Sequence, residues 1–373
     1  MANTVFVRGG AHSGSVEEIW GERTWRQAEK DSYFNDGKFV GESGDSLIQM
    51  NVDLTKNKGD RINTPLRARL ISDGKVDDAA MEGDEKALTF YNCQTTIHKR
   101  KEAVRLDGEM TEQRTKIKLR SEARDSLGLW LADIRDTDVL MGLSGLANTA
   151  GTIAASAPTA NRKFCGGQTT DGASGVAAVA GDANIVSTDG KHLFGTLVIS
   201  HLKRMAKKDG GSAYGKLRPL MIDGKETFVM FVSPWHLKAL RHETAWLNAQ
   251  KDANLRGESN PIFSGAAGIW DGVVLHEYDK ILCRTGDAGG TVLFETGDAI
   301  ANGITVGRAL FCGAQAGILA YGRKIGWKEK EFEYDSQFGV EVSSIYGFTK
   351  AKFNNEDFGV ITCDTRVELD SAA

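Results

Sequence analysis

Proline is nearly missing, with 5 in 373 residues. So little proline rules out a proline-rich linker or low-complexity polymer, and the 43 glycines then read as turns in a packed protein. Cysteine is equally sparse: Cys93, Cys165, Cys283, Cys312 and Cys363 stand singly along the chain. Their odd number and the lack of any C-x-x-C pair argue against a disulfide framework or a cysteine-built zinc site, and leave free thiols in a reducing compartment. Surplus charge is absent too. With 46 basic against 50 acidic side chains, the net of −4 gives no whole-surface footprint for nucleic acid, although a local basic face stays open. No stretch approaches the roughly 18–20 apolar residues of a membrane-crossing helix. The first ten residues lack a basic segment followed by a long apolar run. The expectation is a protein that stays where it is made and has no membrane partner.

What is present is a chain 41% hydrophobic and long enough for two or three modules. Residues 15–36 read as an amphipathic helix. Ser15 and Glu18 form its capping box, and Val16, Ile19, Trp20, Trp25 and Ala28 its apolar positions. Two extended runs follow. In the first, Ile62, Leu66, Ala68 and Leu70 alternate with polar residues; the second holds Leu88, Phe90, Thr95, Ile97, Val104 and Leu106. Pro65 keeps the first run out of a sheet centre because it cannot donate to a ladder. No helix is at hand to cover either run, so the pair reads as a projecting ribbon with an apolar face of Ile62, Leu66, Leu70, Leu88 and Phe90. The strongest helix spans Thr111 to Arg135, with Ala123, Leu127, Leu131 and Ile134 at spacings of four, four and three. Residues 145–190 read as loops with a short strand near Gly175–Ala180. Beyond them, Leu193–Lys208 is helical and Thr227–Val232 is a strand. Ser233-Pro234 opens a further helix, with Ser233 as its cap and Pro234 at its first position. Val273–Glu277 is a strand, Arg308–Tyr321 an Ala/Gly-rich helix, and Ser343–Phe353 with Gly359–Cys363 a hairpin turned at Asn354-Asn355. The fold class is α+β.

Reactive chemistry is hard to assemble from these residues. Gly210-Gly211-Ser212-Ala213-Tyr214-Gly215-Lys216 matches a phosphate-binding loop up to its lysine. Leu217 then stands where magnesium needs Ser or Thr, and Pro219 follows where a helix should begin, so the segment reads as a Gly-rich turn. The histidines His12, His98, His192, His201, His236, His242 and His276 lack ligand spacing. Ser43 and Ser144 lie beside glycines but in no nucleophile elbow. Arg114, Lys116, Lys118, Arg120 and Arg124 form a basic run that either faces a polyanion or, as the commoner case, is the solvated back of an amphipathic helix. No catalytic, metal or cofactor site is expected.

The order of certain segments carries a resemblance. Gly37-Lys38-Phe39-Val40-Gly41-Glu42, Asp53-Leu54-Thr55-Lys56, Gly59-Asp60-Arg61 and Pro65-Leu66-Arg67-Ala68-Arg69-Leu70 open the series. Ala87-Leu88-Thr89-Phe90-Tyr91-Asn92, Arg105-Leu106-Asp107-Gly108 and Met110-Thr111-Glu112-Gln113-Arg114-Thr115 continue it. Val229-Met230-Phe231-Val232-Ser233-Pro234-Trp235, Asn260-Pro261-Ile262-Phe263, Arg308-Ala309-Leu310-Phe311-Cys312-Gly313-Ala314-Gln315-Ala316 and Asp357-Phe358-Gly359-Val360-Ile361 complete it. Collinear over most of the chain, this series resembles major capsid proteins of tailed bacteriophages, from the branch typified by coliphage N-four.

The resemblance implies the Hong Kong 97-like capsid fold: an N-terminal arm at 1–48, an extended loop with base strands at 49–108, a peripheral domain on a long spine helix at 109–190 and 325–373, and an axial domain at 191–324. It implies a non-enzymatic subunit that assembles with itself, through pentamers and hexamers, into an icosahedral shell around double-stranded DNA. Scaffolding, portal and decoration proteins are the further partners expected. In that setting the ribbon residues Ile62, Leu66, Leu70, Leu88 and Phe90 become an inter-subunit contact, and Arg114, Lys118, Arg120 and Arg124 become candidates to face the lumen. The alternatives are a same-fold nanocompartment shell, which encloses enzyme cargo instead of DNA, and a soluble α/β enzyme using 191–324, which requires a convergent polar pocket.

Overall fold

The computed structural model describes residues 24–28, 30–34, 39–55, 58–68, 74–77, 81–107, 109–116, 118–168, 176–178, 193–208, 216–222, 224–254, 267–285, 304–333 and 336–367. Two sheets and one long helix organise them. The first sheet has five strands, in the order Val40–Gly41, Ile48–Asn51, Gly317–Phe332, Gln337–Lys350, His98–Leu106. The second has nine. Its main path runs Gly268–Trp270, Val273–Glu277, Lys225–Val232, Thr305–Cys312, Val360–Val367, Lys163–Gln168, Val176–Ala178, with Cys283–Thr285 beside Thr305–Cys312 and Leu220–Ile222 beside Lys225–Val232.

The second sheet is buried on both faces, which is why its central strands read as continuous apolar runs without alternation. Phe228, Met230, Val232, Ala309, Phe311, Ile361 and Cys363 pack with Val198, Leu202, Leu237 and Leu240 from the helices Thr196–Lys207 and Pro234–Arg241. Their neighbours Val229, Phe231, Leu310, Cys312 and Val360 face the other way, into a core shared with the spine helix, the arm and the first sheet.

The spine helix runs from Leu119 to Ser144, 26 residues and so about 39 Å long. The expected Thr111–Arg135 helix is corrected at both ends. Glu109–Arg114 is a separate short helix, and the spine continues nine residues beyond Arg135. It stops where Gly145 takes a left-handed φ of 78°. The N–H of Leu146 then bonds Met141 O at 2.9 Å, closing the last turn. Gly142 and Gly317 both sit against the Phe348 ring, and a Cβ on either would collide with it. The helix therefore lies directly on the first sheet.

Arg308–Tyr321 is not a helix. Thr305–Cys312 is a strand of the second sheet, Gly317–Phe332 a strand of the first, and the chain changes sheets at Gly313–Ala316. A short apolar run without alternation is compatible with either a buried helix or a doubly covered strand, and pattern alone does not separate them. The C-terminal hairpin is corrected likewise. Asn354 and Asn355 do turn the chain, with φ of 49° and 61°, but the hairpin is limited to Lys352–Phe353 and Glu356–Asp357. The flanking strands Gln337–Lys350 and Val360–Val367 belong to different sheets. A module boundary at 324/325 would cut the Gly317–Phe332 strand, and Lys163–Gln168 and Val360–Val367 pair within the second sheet, not the first. Of the expected arm helix, residues 24–28 and 30–31 are helical, and 15–23 lie outside the described residues. Near Gly175–Ala180, Val176–Ala178 is a strand.

Buried polar groups tie the spine helix to each neighbour. Asp136 accepts from Ser32 Oγ at 2.6 Å and from the Tyr33 N–H at 2.7 Å, which seats the arm. Asp138 accepts from Tyr346 Oη and Asn148 Nδ2, at 2.7 and 2.6 Å, which seats the first sheet and the loop after the helix. Burial first and Asp138 second push the Tyr346 hydroxyl well up, so it stays a donor. Ser144 O, at the negative end of the helix, accepts from Arg308 Nη1 at 3.0 Å. Arg308 stands directly opposite Asp364 across the second sheet and grips it bidentately, Nε–Oδ1 2.7 Å and Nη2–Oδ2 2.6 Å. Both side chains are fully buried. Arg308→Met should leave Asp364 without its main countercharge and destabilise the dissociated subunit by about 3–5 kcal/mol in denaturant melts, whereas Arg308→Met with Asp364→Leu should recover most of that loss. Equal losses in the single and double variants would show that the pair does not lock the junction.

Candidate functional site

The ribbon forms from Arg61–Arg67 paired antiparallel with Phe90–Thr96. Residues directly opposite in such a ladder share a face. Ile62 faces Thr95, Thr64 faces Cys93, and Leu66 faces Tyr91, so these six line one side. That side is covered within the chain: Cys93, Leu66 and Tyr91 pack with Ile318, Ala351, Phe353 and Phe358. Phe90 lies opposite Arg67 on the other side. The five ribbon residues grouped by the sequence pattern therefore do not make one face. Ile62 is buried and Leu66 half-buried at the base, Leu88 and Phe90 are exposed at 56% and 58%, and Leu70 lies outside the described residues. The reason is the short link at Ile97. The second extended run is two strands, Phe90–Thr96 in the ribbon and His98–Leu106 in the five-stranded sheet, and the first of them lies against the molecule's own body.

Farther out, Val76 and Met81 are exposed at 73% and 53%. With Leu88 and Phe90 they place four large apolar side chains, all exposed, on a single projection. An isolated two-stranded element is marginal in water.

The basic run divides. Arg114 and Lys118 are exposed on either side of the break before the spine helix. Arg120 lies over the Phe338 ring at 3.9 Å, and Arg124 Nε bonds Asp125 Oδ1 at 2.7 Å. Residues 210–215 of the phosphate-loop match lie outside the described residues, and the chain after Pro219 enters the strand Leu220–Ile222. No helix N-terminus follows to meet a phosphate. Among the described residues no three His, Cys, Asp or Glu side chains are grouped to hold a metal ion.

The sequence reading missed the buried polar groups. His236 is completely buried at the head of the helix Pro234–Arg241. Ser233 Oγ accepts the His236 N–H at 3.3 Å, the Ser233 N–H reaches His236 Nδ1 at 3.2 Å, and the ring packs on Gly307, where a Cβ would strike it. Only the Ser-Pro start was legible, because the fourth residue of a capping box is ordinarily Glu or Gln. Lys350 and Asp357, also buried, meet at 3.0 Å, and Asp357 Oδ2 accepts the Thr159 N–H at 3.1 Å. Burial pulls the Lys350 ammonium down, and Asp357 opposes that shift.

Two sheets locked onto one helix, with an apolar projection facing solvent, define a scaffold subunit whose surfaces are its working parts. Residues 16–369 match the family described as phage capsid protein, and the chain belongs to that family. It is 31% identical to the major capsid protein of Pseudomonas phage KPP25 over 364 residues, covering 92% of this chain and 93% of that one. Among solved structures, the capsid of Ralstonia phage GP4 shares 28% identity with a TM-score of 0.75, covering 92% of this chain and 93% of that one. The capsid of cyanophage Pam1 shares 25% with a TM-score of 0.70, covering 92% and 94% respectively. The chain is a phage major capsid protein, a structural subunit that associates with itself into the icosahedral shell of the virion. Its fold is the α+β, Hong Kong 97-like fold of tailed-phage capsids.

Burial lowers the His236 pKa from its ordinary 6.5 to about 4, against weaker opposite pulls from Gly307 and Asp364. The folded state therefore holds the neutral ring. The stabilisation is complete above the unfolded value of 6.5 and is lost as pH falls from there toward 4. The loss should reach roughly 3 kcal/mol near the lower limit. Melting temperatures of subunits between pH 7 and 4 should fall more steeply for the natural chain than for His236→Gln. Parallel slopes would remove His236 from the acid response.

Proposed function

We propose that the subunits join as hexamers and pentamers in which each ribbon reaches across to an adjacent copy, and that the shell so formed encloses double-stranded DNA. The observation that carries this is the exposed set Val76, Met81, Leu88 and Phe90 on one projection. Covering each such side chain contributes about 1.5–3 kcal/mol to the contact and little to the lone subunit. Repetition around a closed symmetric shell multiplies contacts that are weak singly. In this reading the spine helix and five-stranded sheet are the peripheral part, and the nine-stranded sheet with its helices is the axial part. Scaffolding, portal and decoration proteins are the other partners. The role of screening packaged phosphates falls to Arg114 and Lys118, whose side chains are exposed, ahead of Arg120 and Arg124, which already engage Phe338 and Asp125.

The test is replacement of residues 69–88 by a short Gly/Ser turn, which leaves Ile62 and Leu66 at the base. Sedimentation and electron microscopy should find no shells, while the subunit still melts cooperatively within a few degrees of the natural chain. Shells of normal size from this variant would exclude the ribbon from assembly. A variant that cannot fold would place the ribbon in the core.

A further inference from the structure

A cleft of about 710 Å³ opens where three parts of the chain meet. The arm brings residues 30–33 to it, the spine helix brings Asp133 and Asp136, and the end of the strand Val273–Glu277 with the turn after it brings residues 277–280. Among the described residues five carboxylates line it, those of Asp31, Asp133, Asp136, Glu277 and Asp279. Lys30 and Lys280 are the ammonium groups set against them, so the cleft holds a surplus of negative charge. Asp136 is engaged by Ser32 Oγ and the Tyr33 N–H, and Asp133 Oδ1 holds Lys280 Nζ at 2.6 Å. Asp31 and Asp279 are exposed and have no ion-pair partner among the described residues.

Tyr278 is the residue that gives this charge a focus. It is 6% exposed, and its hydroxyl has no hydrogen-bond partner among the described residues. Its ring stacks on Tyr33 with centroids 4.2 Å apart. The carboxylates that act on the hydroxyl are those of Asp136, Asp279 and Asp133, and all three line the cleft, so the oxygen is turned toward it. Burial first, and these carboxylates after it, push the phenol well above its ordinary value, so it stays protonated and neutral. A neutral phenol oxygen still accepts a hydrogen bond, and one left buried without a partner is unfavourable.

We propose that this cleft binds a linear polyamine, with one ammonium group donating to Tyr278 Oη and the others held by Asp279 and Asp31. Lys280 already shows that an alkylammonium is accepted here, since its Nζ reaches into the cleft to Asp133. Among the described residues no three acidic, His or Cys side chains are grouped closely enough to hold a metal ion. Negative charge spread around a cleft in this way suits cations spaced along a chain better than one compact ion. Tyr33, Tyr278 and Pro234 supply carbon walls for the methylenes between those cations. Because the arm, the spine helix and the nine-stranded sheet all contribute to the cleft, an occupant touches all three. It therefore favours the folded chain by mass action.

The experiment is calorimetric titration of dissociated, full-length subunits with spermidine at about 0.1 M salt, where screening reaches ~10 Å, with melting curves alongside. The natural chain should bind about one spermidine per subunit and melt at a higher temperature as the amine concentration rises. Tyr278→Phe removes one oxygen and should weaken binding about tenfold, the usual effect of losing a hydrogen bond to a charged group. Asp31→Asn with Asp279→Asn should weaken it by about tenfold or more. Butylamine, with a single charge, should bind about tenfold more weakly than spermidine. Mg²⁺ should displace spermidine no better than Na⁺ at the same ionic strength. Melts without amine verify folding, and if the double variant melts lower than the natural chain, Asp279→Asn alone takes its place. Absence of saturable binding would overturn the proposal. So would unchanged affinity in Tyr278→Phe, or displacement by Mg²⁺ beyond the effect of ionic strength, which would reduce the cleft to an ordinary acidic surface.

Discussion

Asp136, Asp138 and the carbonyl of Ser144 lie along the last three turns of the spine helix, and each accepts hydrogen bonds from a different part of the chain. The arm, the first sheet and the second sheet are thereby held to one rigid rod. Each of these groups is buried, so a displaced partner would leave a desolvated polar atom or charge without compensation. Hydrophobic packing alone would permit the sheets to slide on the helix. The directional bonds select one arrangement.

From that constraint follows the division of surfaces. The nine-stranded sheet is covered on both faces and carries little but core. The five-stranded sheet spends one face on the helix; part of the other is covered by the ribbon, where Cys93 packs on Ile318, and the rest carries exposed cations. The ribbon springs from the edge strand His98–Leu106 through Ile97 and is anchored by Leu66, Tyr91 and Cys93. In its outer half Val76, Met81, Leu88 and Phe90 are exposed. A shell protein needs this partition, because surface satisfied within the subunit has nothing to contribute to a neighbour.

The buried Arg308–Asp364 and Lys350–Asp357 pairs sit where the chain passes between layers. Arg308 joins adjacent strands to the helix end, and Lys350 joins the C-terminal hairpin to the strand before it. Pairs of this kind add little net stability over a well-packed apolar substitute, yet they discriminate strongly against misplacement. In a chain whose strands alternate between two sheets, that discrimination keeps the crossover at Gly313–Ala316 and the hairpin at Asn354-Asn355 from joining the wrong sheet.

The sequence by itself determined the local elements whose signals are periodic or stereochemical. The stripe Ala123, Leu127, Leu131 announced the spine, Ser233-Pro234 the start of a helix, Asn354-Asn355 the turn, and Pro65 a strand away from any sheet centre. The collinear segments carried the family and with it the fold. Only the tertiary structure decided that Arg308–Tyr321 is two strands, because a segment covered on both sides has no polar face to reveal its period. It decided too that Leu66 and Phe90 lie on opposite sides of the ribbon, since register depends on the partner strand and not on the pattern within one strand. Lys99, Lys101 and Arg105 alternate visibly, but their union with Arg323, Lys328 and Lys330, more than two hundred residues along, exists only once the sheet has formed. Long-range pairing places charges beside one another that no local spacing records.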